Sequence, residues 1–210
     1  MSYKKFYHNT VTLYLNVKCS MLVAQMTVST EDGRSASITR SFRFESDVLT
    51  VLDEEAKRMG ISVNALVGIE LRRYVEFTRY LSKIDMIVIN REILTSLIDL
   101  LEEGALYKMG VRLGQTVLDD TIMFWQKETT ERTVMEYIEK MVCRYGRLGT
   151  YDERKMPGGE MAIVVRHRLG RNGSRFLEGY LQGGLKHTLD IDALFEITDS
   201  SVKCQIPARK

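Results

Sequence analysis

A chain of 210 residues has room for one large domain or two small ones, with length enough to bury a core. Its 44% hydrophobic and 28% charged residues exclude disorder, and only two prolines, Pro157 and Pro207, interrupt helix formation. A formal net charge of +2 is too small to announce a nucleic-acid partner, so any such assignment must come from a motif. The cysteines Cys19, Cys143 and Cys204 and the histidines His8, His167 and His187 show neither C-x-x-C nor H-E-x-x-H spacing. Buried, reduced thiols in a cytoplasmic protein without metal or cofactor are the expectation. The apolar stretch 11–28 is broken by Asn16, Lys18, Ser20 and Gln25, too polar to span a bilayer, so no membrane partner is expected.

Residues 1–33 read as an N-terminal extension of uncertain order. Positions 11–17 alternate like a strand, and Met21 or Met26 is an alternative start. A strand follows over Ser37–Phe44, with Ile38, Phe42 and Phe44 on one face and Thr39, Ser41 and Arg43 on the other; Arg40 interrupts the alternation. Ser46 signals a helix start, Val48, Leu52, Ala56 and Met59 repeat at helical spacing, and Gly60 supplies a left-handed stop. Ser62 caps a second helix carrying Val63, Leu66, Val67, Leu71, Tyr74 and Val75 as a stripe and ending near Leu81. Residues 82–85 are a linker. Met86–Ile89 is a short strand or extended lead-in, and Asn90 caps a helix to about Glu102. Further helices are predicted over Gly104–Trp125 and Thr130–Tyr145, the last stopped by Gly146. A hairpin, Gly149–Lys155 with Met161–Arg168, turns around Pro157-Gly-Gly159; a helix over Gly173–Leu189 and strands at Ala193–Ile197 and Val202–Ile206 close the chain. The fold class is α+β, divided into residues 34–81 and an α/β part at 86–210.

One strand and two helices cannot close a core alone. The economical solution is a homodimer, or a higher oligomer built on it: two strands pair antiparallel across a two-fold axis and four helices cover one face. Ile38, Phe42, Phe44, Leu52 and Leu66 would form the dimer core, and Thr39, Ser41 and Arg43 would face outward. A two-stranded ribbon fits the major groove of double-stranded DNA, where such hydroxyls and a guanidinium meet base edges. The alternative is an ordinary edge strand with a solvated polar face. Residues 38–80, about one fifth of the chain, resemble the ribbon-helix-helix repressors of the Arc, MetJ and CopG type. The matching residues are Ser41-Phe-Arg-Phe-Glu-Ser-Asp-Val-Leu49, Leu52, Ala56, Met59-Gly-Ile-Ser-Val-Asn64 and the apolar stripe of the second helix. The resemblance implies that Thr39, Ser41 and Arg43 read bases and that the amides of Ser62, Val63 and Asn64 hold a phosphate. That last role also follows from the free N–H groups of a helix N-terminus.

In the C-terminal part no nucleophile–base pair or phosphate loop is apparent, so no enzyme is expected. Gly170-Arg-Asn-Gly173 reads as a plain turn rather than an anion cradle. Arg166, Arg168, Arg171 and Arg175 read as solvated surface. Gly179 and Gly183, four apart on one helix face, predict close packing against a sheet. This helix with the terminal strand–turn–strand around Cys204 resembles the 4-vinyl-reductase-like, hydrocarbon-binding domain, which implies a pocket for a small apolar effector. Only Cys204 matches that family's cysteines, which argues against zinc. The combined expectation is a cytoplasmic, dimeric transcription regulator, with an antitoxin-like or other protein-interaction module as the alternative.

Overall fold

Two helices follow the run 39–45 in the computed structural model, which describes residues 39–156 and 159–208. The extension 1–33 and Ile38 lie outside the described residues. Residues 39–45 carry no regular secondary structure and are exposed throughout. Helix α1 (Ser46–Met59) has Asp47 in its first turn and Lys57 and Arg58 in its last, the polarity a helix dipole favours. Gly60, at φ +68°, ends it in the left-handed region while the Ile61 amide bonds the Ala56 carbonyl at 3.0 Å. Ser62 then caps helix α2 (Val63–Arg73), its hydroxyl accepting from the Ala65 amide at 3.1 Å. A wider π-helical turn (Tyr74–Thr78) carries α2 into the short α3 (Arg79–Leu81).

Among the described residues, those from Thr50 onward belong to one compact unit. Residues 82–85 do form turns, yet Leu81 and Ile84 pack on the main core and Phe77 is buried inside it. Aromatic packing explains this: Phe77 stacks on Tyr145 with ring centroids 5.5 Å apart.

Met86–Ile89 leads without strand pairing into helix α4 (Arg91–Ile98), which Asn90 caps by accepting from the Glu92 amide at 2.8 Å. The helix stops short of Glu102, where the Asn172 amide group reaches the carbonyls of Ile98 and Leu101. Helix α5 (Glu103–Leu113) runs through a π turn (Gly114–Leu118) into α6 (Asp119–Gln126). Helix α7 (Glu131–Glu136), opened by a Thr130–Thr133 capping box, continues as a π-helix (Tyr137–Tyr145) that ends at Gly146. Strands β1 (Gly149–Lys155) and β2 (Met161–His167), helix α8 (Gly170–Leu189), and strands β3 (Leu194–Ile197) and β4 (Ser201–Ile206) complete the fold.

The four strands lie in the order β1-β2-β4-β3, every pair antiparallel, so this part is α+β rather than α/β. Register places Tyr151, Val165, Val202 and Ile197 across one layer and Ile163, Cys204 and Phe195 across the next. That face joins Leu177, Leu181 and Leu185 of α8 and Ile138 and Met141 of the π-helix in one core. The other face carries ion pairs, Lys203 with Glu196 at 3.0 Å and Arg166 with Asp152, as a solvated antiparallel sheet should.

Gly179 and Gly183 do not face the sheet as the sequence predicts; they face a helix. A Cβ on Gly179 would lie 3.0 Å from the Val111 nitrogen, and one on Gly183 would lie 2.8 Å from the Val111 Cα. Reciprocally, a Cβ on Gly110 would approach the Tyr180 nitrogen to 2.8 Å, and one on Gly114 the Gly184 nitrogen to 2.7 Å. Two pairs of glycines, each one turn apart, let the backbone of α5 and the first residue of the π turn after it touch that of α8. Gly114→Ala should therefore lower the denaturant midpoint by the equivalent of about 1–3 kcal/mol or more, because backbone atoms cannot yield as side chains do. Gly104→Ala, where nothing lies within 4 Å, should leave the midpoint unchanged or raise it. Equal responses would contradict the seam.

Candidate nucleic-acid interface

The chemistry of the candidate base-reading residues Thr39, Ser41 and Arg43 is a pair of hydroxyls and a forked cation. Thr39, Ser41 and Arg43 are all exposed, in the run that precedes α1. The candidate phosphate grip is built differently, by a helix end. Ser62 sits in extended conformation (φ −77°, ψ 154°) and its hydroxyl takes the Ala65 amide. The amides of Val63 and Asn64, in a first turn that has no i−4 carbonyls, point out of the helix end. No acidic residue occupies that first turn, whereas α1, α4 and α5 carry Asp47, Glu92 and Glu103 in theirs. The positive end of the α2 dipole thus has no acidic side chain in its own first turn.

The expected dimer-core residues separate into two groups. Leu66 is buried and Leu52 half-buried within their own chain. Phe42 and Phe44 are 59% and 42% exposed, and Val48, Leu49 and Val51 are exposed with them. On α2 and its π turn, Leu71, Tyr74 and Val75 of the predicted stripe are about half exposed.

Other chemistry in the chain is satisfied internally. Cys143 and Cys204 are free, buried in one core, and burial pushes both thiols up to about 12, which keeps them protonated and unreactive. No group of three or more metal-ligating side chains occurs among the described residues. Three of the four arginines of the predicted basic cluster have ion-pair partners: Arg166 pairs with Asp152, Arg171 and Arg175 with Glu103, and Arg175 also with Glu178. Gly170-Arg-Asn-Gly173 forms the first turn of α8, Gly170 at φ +69°.

His167 and Ser174 make a buried pair that sequence reasoning missed, because a turn between strand and helix brings together residues seven apart. Ser174 Oγ lies 2.9 Å from His167 Nε2 and donates to the Thr198 carbonyl at 2.5 Å. The Leu169 amide donates to His167 Nδ1 at 3.2 Å. Nδ1 is therefore an acceptor, Nε2 carries the proton, and the imidazole donates to a hydroxyl already committed as a donor. The relay ties β2 and α8 to the β3–β4 turn; with its lone pair taken by Leu169, the imidazole is not placed to deprotonate Ser174.

No family model matches the chain, and no curated protein is similar to it. Two solved structures are distantly alike. A trafficking protein particle complex subunit 3 from Naegleria fowleri, covalently bound to palmitic acid, shares 15% identity at a TM-score of 0.39 over 57% of this chain and 92% of that one. An H-NOX protein from S. oneidensis in the Fe(II)NO ligation state shares 11% identity at a TM-score of 0.39 over 86% of this chain and 83% of that one. What those proteins bind stays with them. No described helix is long and apolar enough to cross a membrane.

Burial holds His167 below the ordinary histidine value. Its neutral form thus contributes stability that is complete above the unfolded value of about 6.5 and is lost as pH falls through the lower folded value. Between pH 7.5 and 5, above the carboxylate range, the melting temperature should fall, and His167→Gln should respond less steeply. Parallel slopes for the two proteins would show that the relay does not carry the effect.

Proposed function

We propose that the chain is a dimeric, sequence-specific DNA-binding transcription regulator that inserts a two-stranded β-ribbon, one strand from each copy, into the major groove. The observation that carries the reading is the exposed apolar set Phe42, Phe44, Val48, Leu49 and Val51 in and after the strand segment of a strand–helix–turn–helix sequence. Apolar side chains in such number on one short stretch are what a second copy would cover. The Ser62-capped helix start, free of acidic residues, supports the phosphate contact. Ribbon pairing would turn Thr39, Ser41 and Arg43 outward from each copy.

The finer part of the reading is a small apolar effector in the 86–210 part, suggested by the 4-vinyl-reductase-like resemblance of its last helix and strands. The end of α2 is built into that part's core through Phe77, which offers a packed route from effector to DNA-binding helix.

Light scattering should give a dimer at micromolar concentration, and Phe42→Asp should break it by placing a charge in the shared core. Arg43→Ala should lower affinity for the operator by about 1–3 kcal/mol, the discrimination of one bidentate guanine contact, with less loss on random duplex. Asn64→Asp favours the helix but repels phosphate, so it should weaken binding to both duplexes alike. A folded monomer that binds neither duplex would sink the regulator reading.

A further inference from the structure

Gly68 lies in the interior of α2, where glycine weakens a helix relative to alanine. Packing explains Gly110, Gly114, Gly179 and Gly183, but nothing lies within 4 Å of where a Gly68 Cβ would stand. The space beside it belongs to an open groove of about 550 Å³, in the size range of small-molecule sites. Helix α2 lines one side with Gly68, Ile69, Arg72 and Arg73; the end of the Tyr137–Tyr145 π-helix and the turn after it supply Arg144, Tyr145 and Arg147. Four arginines face the groove against one glutamate, Glu70.

Three of these arginines share a carboxylate: Arg72 with Glu76 at 3.4 Å, Arg73 with Glu70 at 3.9 Å and Arg144 with Glu139 at 2.9 Å. The guanidinium ends of these pairs are largely exposed, Arg72 most of all, and each keeps further N–H donors beyond the one its carboxylate takes. Arg147 has no ion pair among the described residues. Its backbone is left-handed, φ +54°, a conformation that costs a non-glycine residue and tends to be kept where function needs it. Arg91 holds this turn by donating to the Arg147 carbonyl at 3.0 Å. Tyr145, fixed by its own hydrogen bond to Glu76 and stacked on Phe77, is among the residues that line the groove.

We propose that this groove binds a small organic anion, its phosphate or carboxylate held by the guanidinium forks of Arg72 and Arg147 and its apolar body lying along Gly68, Ile69 and Tyr145. Forked guanidinium donors match the oxygens of such groups, and the missing Cβ of Gly68 opens the floor on which the body rests. A concave site suits a compact ligand better than a convex duplex backbone does. The site stands apart from the regulator reading and does not need it.

Calorimetric titration of the full chain with phenyl phosphate, inorganic phosphate and phenol tests the assignment. Phenyl phosphate should bind once per chain and at least tenfold more tightly than either fragment. Arg147→Gln, which keeps the same backbone strain, and Arg72→Gln should each weaken it tenfold or more. Gly68→Leu should abolish binding while the ligand-free melting temperature holds or rises, and light scattering on the same sample reports any change of assembly. Phenol binding as tightly as phenyl phosphate would overturn the proposal, since the arginines would then contribute nothing. So would phenyl phosphate binding indifferent to Arg147→Gln and Gly68→Leu, or the same two substitutions weakening duplex binding with no phenyl phosphate bound.

Discussion

The close approach of α5 and α8 is the constraint from which the rest of the C-terminal architecture follows. Each glycine in a helix interior costs about 1 kcal/mol relative to alanine, and the seam uses four in two helices. What offsets that cost is dispersion between backbones that touch along a full turn, with each glycine seated on main-chain atoms of the other helix. The seam is flanked by polar contacts that fix its register. Tyr107 donates to Gln182 at 2.7 Å, and the Arg175 guanidinium lies 5.3 Å from the Tyr107 ring centre. Arg175 Nε is buried without a well-directed hydrogen bond, yet 3.4 Å from a Glu103 oxygen, so the ion pair is what compensates it. With one face of α8 committed to α5, Leu177, Leu181 and Leu185 are left for the core shared with the sheet.

The π-helical turns do a second job, changing which face of a helix points inward partway along it. In α2 the turn Tyr74–Thr78 brings Phe77 into the main core and lets Glu76 accept from Tyr145, while Leu71 and Val75 remain half exposed. That hydrogen bond together with the Lys140 and Arg72 charges holds the Glu76 carboxyl below the usual range, while burial and the Glu76 charge push the Tyr145 hydroxyl up. The second helix is therefore not a freely tethered element. Its first turn carries the candidate phosphate contact and its last turn is anchored in the C-terminal core.

Deep in the same core the hydroxyls of Tyr137 and Tyr180 are 2.7 Å apart. Burial raises both, which keeps both protonated. Two hydroxyls bonded only to each other use one hydrogen between them, and a core polar pair of this kind specifies how the π-helix sits on α8. Outside the core, the exposed run 86–89 and the residues Ile93, Leu97 and Leu100 form a second stretch of uncovered apolar surface.

Much was determined by local chemistry alone. Ser62, Asn90 and Thr130 cap their helices because a hydroxyl or amide oxygen two or three residues ahead of a free amide needs no tertiary partner, and Gly60 ends its helix for an equally local reason, whereas after the π-helix Gly146 stays right-handed and Arg147 takes the left-handed conformation. Period-two alternation in 201–206, Val202, Cys204 and Ile206 against Ser201, Lys203 and Gln205, marks the inner face of that strand locally, whereas 161–165 are apolar throughout and only pairing decides which of them face inward. The tertiary structure decided what required a partner distant in sequence. Gly179 and Gly183 announced a close approach, but only the position of Gly110 and Gly114 turned it toward a helix instead of the sheet. No spacing rule joins Tyr145 to Glu76, and the Ser174–His167 relay depends on a turn whose geometry periodicity does not encode. The convergence of Arg72, Arg73, Arg144 and Arg147 on one groove is of the same kind, since residues seventy apart meet only once the core beneath them is packed.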